Sequence, residues 1–133
     1  MGARLSYAKV IDSRDFYVRG GKVHPALPNF ALIDDDPGPL KPLLILRGWT
    51  DDHGTFTEQW KIESPGGTIL YESIPRELHL ASPEHVENLE DEVADLEVDY
   101  AADDYSVLFL LDDREVARVD FPVLSEAPNR DNR

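Results

Sequence analysis

The chain contains no cysteine. That absence removes disulfides, thiolate nucleophiles and thiolate metal sites together. It also fits a reducing compartment, so a cytoplasmic location is expected. Long apolar runs are missing too. The longest spans residues 107–111, far short of the ~20 residues that a membrane-spanning helix needs. Residues 1–10 hold no apolar segment of the signal-peptide kind. The opening Met1-Gly2-Ala3-Arg4-Leu5-Ser6 fits the loose myristoylation pattern. It is read as a chance match, because an anionic membrane repels a strongly acidic body, and no membrane partner is expected. Basic residues are scarce: 13 Lys and Arg stand against 27 Asp and Glu, for a formal net charge of −14. Nucleic-acid binders carry basic patches, so direct binding of DNA or RNA is not expected.

Catalytic patterns are equally thin. There is no nucleophile elbow and no phosphate-binding loop. His24, His53, His79 and His85 are scattered, and no pair of them has metal-ligand spacing. In Asp52-His53, neighbouring side chains tend to point apart, which leaves a solvated turn. Paired carboxylates for sugar hydrolysis cannot be picked out among so many acids. The expectation is a protein that is not an enzyme and carries no cofactor, with calcium as the one candidate ion.

What the sequence does hold is period-two alternation. Its length suits one domain over residues 1–125, followed by a polar, frayed tail over 126–133. Residues 5–11 read as a strand. Residues 16–23 read as a hairpin turning at Gly20-Gly21, since paired glycines accept the positive φ of such turns. Prolines at 25, 28, 37, 39 and 42 leave room for one edge strand over 29–33. Residues 43–49 are apolar on both faces, as in a central strand covered on both sides. In residues 56–62, Phe56, Trp60 and Ile62 face one way and Thr57, Gln59 and Lys61 the other. Ser64-Pro65-Gly66-Gly67 then turns the chain into a strand over 68–72. The clearest hairpin is the last. Tyr105, Val107, Phe109 and Leu111 share a face, Asp112-Asp113-Arg114-Glu115 turns, and Ala117, Val119, Phe121 and Val123 face in on the return.

One segment departs from alternation. Ser82-Pro83-Glu84 has the composition of a helix start, and Val86, Leu89, Val93 and Leu96 recur at intervals of 3, 4 and 3. The spacing predicts a short amphipathic helix over about residues 83–96, docked by its stripe on the rest of the protein. Glu87, Glu90, Asp91 and Asp95 would then form one wet, carboxylate-bearing face, the candidate surface for a basic protein partner. Two heptads with acids at the flanking positions argue against a self-paired coiled coil.

Acids also gather at turns: Asp34-Asp35-Asp36, Asp51-Asp52, Asp103-Asp104 and Asp112-Asp113. Counting strands places Asp34, Asp35 and Asp36 at the same end as Asp112 and Asp113. Two such loops could offer calcium the six to eight oxygens it takes. No spaced calcium-loop motif is present, and Asp is an ordinary turn former.

Read as seven or eight short strands with few helical signals, the chain resembles an immunoglobulin-like antiparallel β-sandwich. Ala102-Asp103-Asp104-Tyr105 before an alternating strand looks like the tyrosine corner of that fold, and Trp49 or Trp60 would be its buried tryptophan. The cysteine pair is absent, and Ala101 and Asp103 stand where the corner has Asp and Gly. At the level of pattern, the chain also resembles small uncharacterised prokaryotic proteins with an early glycine hairpin, a proline-rich bend and a closing hairpin. That likeness implies no activity. The expected function is a non-catalytic, acidic binding or interaction module. The alternatives are a carboxylate-presenting nucleic-acid mimic that inhibits a basic protein, and a calcium-binding sandwich module. Few lysines and many acids suit very high salt, so a halophilic source is expected.

Overall fold

The computed structural model describes residues 2–22, 28–33, 38–98 and 103–125. Over these residues the chain is mainly β, with one short helix and several sheets. Strand β4 (Leu43–Thr50) is the hub. All eight of its residues are buried, as its two-sided apolar composition predicts. Strands β1 (Arg4–Asp12) and β8 (Glu87–Val93) pair antiparallel on either side of it, giving the order β1-β4-β8.

The second sheet is built around β5 (Gly54–Glu63). On one side it pairs with β10 (Tyr105–Leu111), which pairs in turn with β11 (Arg114–Phe121). On its other side it pairs with β6 (Ile69–Glu72) and β7 (Arg76–Leu80) in succession. Two small pairings complete the described architecture. Strand β2 (Ala31–Ile33) runs parallel to β12 (Val123–Ser125), and β3 (Gly38–Pro39) runs antiparallel to β9 (Glu97–Val98). The larger sheets share one core: Val10, Ile45 and Trp49 come from the first, and Trp60, Ile62 and Phe109 from the second. Each such side chain contributes about 1.5–3 kcal/mol by leaving water. Phe121 and Val123 are buried and Ala117 and Val119 pack against that core, as the closing hairpin predicts.

Two predicted elements are overturned. Residues 83–96 do not form a helix. Residues 87–93 are strand β8, whose odd positions Leu89, Asp91 and Val93 face inward and are partly or fully buried. The 3-4-3 spacing arose because an acid occupies the inward position between Leu89 and Val93, which hides the strand period. The apparent helix cap is a turn in which Pro83 O accepts from Asp51 N and Thr50 Oγ1. A doubly covered strand leaves both edges to be paired, and that tertiary demand outweighs local helix propensity.

Nor do residues 16–22 make a hairpin; Val23 lies outside the described residues. Residues Ser13–Val18 form helix α1. Asp12 is its N-cap, accepting from Asp15 N at 3.1 Å, and Arg19 pairs with Asp15 at 3.0 Å. Gly20 and Gly21, at φ 75° and 76°, end the helix, with Gly21 N donating to Phe16 O. The glycine pair supplies positive φ as expected, but as a helix stop. Helix α1 lays Phe16 over Ile11, Leu44 and Leu46, a second small core on the outer face of the first sheet.

Candidate functional site

The fold brings together charged residues from the inward faces of β4, β5 and β8, and Arg76 of β7 joins them. Arg47 of β4 is 0% exposed and Glu58 of β5 is 1% exposed. Arg47 Nε donates to Glu58 Oε2 at 2.7 Å and Nη2 to Oε1 at 2.8 Å, a bidentate pair. Arg47 Nη1 donates to Ile45 O. Trp49 Nε1 donates to Glu58 Oε2 at 3.0 Å. Asp91 of β8 takes Arg47 Nη2 at 3.0 Å, the Trp60 indole N–H at 2.7 Å and Arg76 Nη2 at 2.7 Å. Arg76 stands directly opposite Glu58 in the β5–β7 pairing. Burial alone would raise the Asp91 carboxyl. The Trp60 hydrogen bond and the two guanidiniums outweigh it and hold the group below its ordinary value. Two cations meet two anions, so the cluster is neutral. No buried side-chain nitrogen or oxygen among the described residues lacks a partner. These carboxylates are engaged in joining the two sheets.

The sequence-predicted partner face is therefore divided. Asp91 points inward into this cluster. Glu90 lies on the opposite, exposed face of β8. Glu87 is half-buried, and its Oε1 accepts from His85 Nε2 at 2.8 Å. Asp95 sits in the turn after β8 at φ 62°. The four do not share a face. Of the predicted metal loops, Asp34, Asp35 and Asp36 lie outside the described residues. Asp112 and Asp113 form the β10–β11 turn at φ 51° and 68°. Asp112 Oδ1 accepts from Thr57 N and its own N–H donates to Thr57 O, both at 2.9 Å, tying the turn to β5. Among the described residues, no group of three or more His, Asp or Glu is arranged to hold a metal ion.

The outer face of the first sheet holds a cleft of about 770 Å³. Two rows of the sheet line it: Tyr7 and Asn88, on either side of Gly48, and then Lys9, Leu46 and Glu90. Phe16 closes one end. Tyr7 reaches this face because β1 has a bulge between Leu5 and Tyr7. Leu5 pairs with the inward Trp49, and without the extra residue Tyr7 would point into the core. The ring lies across Gly48, where a Cβ would come within 2.5 Å of Tyr7 Cε1, and its hydroxyl donates to Asn88 Oδ1 at 2.7 Å. Tyr7 is 40% exposed. Burial and the Glu90 charge raise its hydroxyl pKa, against the lowering pull of Arg47.

Sequence reasoning missed both features, although signals existed. Arg47 interrupts a strand apolar on both faces, and a charge there requires a buried partner. Glu58 falls between Phe56 and Trp60 on the inward face, as Asp91 falls between Leu89 and Val93. Gly48 inside a strand signals a close approach, here by Tyr7. No helix among the described residues is long and apolar enough to cross a membrane. No protein-family model and no curated protein matches the chain.

Proposed function

We propose that the protein is a non-catalytic binding module on an immunoglobulin-like sandwich, with the cleft over Tyr7, Leu46 and Asn88 as its binding surface. The strand orders β1-β4-β8 and β11-β10-β5 support the fold reading, as does Trp60 buried on β5. The observation that carries the function is the cleft itself. Its volume falls within the range typical of ligand sites, it has an apolar floor, and it is bordered by a few polar groups. The non-catalytic reading draws on the buried cluster, where Glu58 and Asp91 are both held by guanidinium and indole N–H groups. The partner is a protein segment, and the overall charge favours a basic one.

The test is a panel of decapeptides, acidic, uncharged and basic, titrated into ¹⁵N-labelled protein. Amide shifts that cluster at Tyr7, Leu46, Asn88 and Glu90 for any member support the reading. Shifts that gather elsewhere, or none across the panel, overturn it.

A further inference from the structure

Resting on the cleft as the binding surface, we infer that it takes an arginine side chain of an extended basic peptide. The guanidinium lies over the Tyr7 ring and against Glu90, and the aliphatic stem lies on Leu46.

Three features of the cleft carry this. The first is the ring. The β1 bulge and the missing side chain at Gly48 together hold Tyr7 flat across the sheet with part of its surface open. A guanidinium stacks on such a ring, more favourably than an ammonium does. The second is the anion. Glu90 is two residues from Asn88 on the same face of β8, about 7 Å along the strand. Because Asn88 receives the Tyr7 hydroxyl, the ring already reaches toward that strand. The proximity is also electrical, since the Glu90 charge raises the Tyr7 pKa. The third is polarity across the cleft. Lys9 stands opposite Glu90, with Leu46 between them, and has an interaction of its own. Glu92 follows on the same exposed face of β8, and the chain as a whole carries −14. A basic peptide is thus steered to this face and oriented on it.

The experiment is fluorescence anisotropy with a labelled decapeptide of alternating Arg and Ser, at low and moderate salt. A Lys/Ser and a Glu/Ser version serve as comparisons. Glu90→Gln and Tyr7→Leu should each weaken the Arg peptide at least fivefold, and Tyr7→Phe, which keeps the ring, should retain most of the binding. Glu77→Gln removes the same charge from the exposed face of β7 and should change the affinity less than twofold. Melting curves confirm that each variant is folded. The Lys peptide should bind more weakly than the Arg peptide. Equal losses for Glu90→Gln and Glu77→Gln would mean that the peptide follows net charge alone, which overturns the inference. So would full binding by Tyr7→Leu. Cleft resonances moved only by an acidic or uncharged peptide would also overturn it, while leaving the proposed binding surface intact.

Discussion

Replacing Arg47 with Met should be among the most damaging single changes available to this protein. Arg47 is fully buried and holds both Glu58 oxygens and one Asp91 oxygen. Met fills a similar volume but leaves Glu58, 1% exposed, with the Trp49 N–H and a guanidinium 3.9 Å away as its remaining partners. Removing one member of a buried ion pair costs about 3–5 kcal/mol, chiefly because the other charge is left uncompensated. For a domain of this length that lowers the melting midpoint by roughly 10–20 °C. The companion change Glu58→Gln removes the orphaned charge and keeps an oxygen for Trp49. The double variant should therefore be more stable than the sum of the single losses implies, by about 2 kcal/mol or more. Urea unfolding followed by tryptophan fluorescence reads this directly, since Trp49 and Trp60 both donate to carboxylates of the cluster. An Arg47→Met loss below about 1 kcal/mol, or strictly additive losses, would refute the claim that the cluster is a coupled, desolvated unit.

Three further outcomes follow from the same geometry. The folded state holds the Asp91 carboxyl below its ordinary pKa, so its contribution to stability is present above that ordinary value and is lost as pH falls through the folded pKa. Asp91→Asn should be less stable at pH 7, and its deficit against the native protein should shrink in urea melts taken at pH 5, 4 and 3; a constant deficit contradicts this. In the β10–β11 turn, Asp113→Gly should be neutral or stabilising by roughly 0.5 kcal/mol, because φ is positive there. Asp112→Ala, which removes the acceptor for Thr57 N, should cost about 1–2 kcal/mol, so it should melt clearly below both the native protein and Asp113→Gly. Finally, with a net charge of −14, the melting midpoint should rise steadily as KCl goes from about 0.1 to 1 M, where the screening length falls from about 10 to 3 Å. A flat or falling midpoint would show that self-repulsion is not what limits stability.

The elements legible in the sequence were those whose period and partners agree. Strand β4 announced itself by composition, and β10 with β11 by clean alternation around an acidic turn. The failures have a common physical form, in which a local signal was real but served another structure. Gly20-Gly21 does take positive φ, yet Asp12 caps a helix turn just upstream, and the glycines stop it. The stripe Val86, Leu89, Val93 and Leu96 is apolar, yet β4 needed a second neighbour, and strand pairing took the segment. Periodicity reads a charged residue on the inward face as a break in the pattern. Arg47, Glu58 and Asp91 look like noise in three separate strands, and only the packing of the two sheets shows that Arg47 answers both carboxylates. The predicted partner face failed for the same reason, since Asp91 and Glu90 leave a strand on opposite sides.

Strand β8 links the interior to the cleft, because its odd positions build the buried cluster and its even positions border the binding surface. Gly48 of the neighbouring β4 tests whether the outer side is as specifically shaped as the inner one. In a strand interior, Gly→Ala ordinarily stabilises by roughly 0.5–1 kcal/mol, since glycine has more conformational freedom to lose. Here the added Cβ meets Tyr7 Cε1 at 2.5 Å and Val86 Cγ1 at 2.9 Å, so the sign should reverse. Displacing the ring breaks the bond from Tyr7 to Asn88, and overpacking of this kind costs about 1–3 kcal/mol. Tyr7→Ala in the same chain removes the closer of the two contacts, so the double variant should recover part of that loss. A Gly48→Ala protein that melts higher than the native one would mean that the ring is free to leave. The cleft would then not be held in shape by the sheet beneath it.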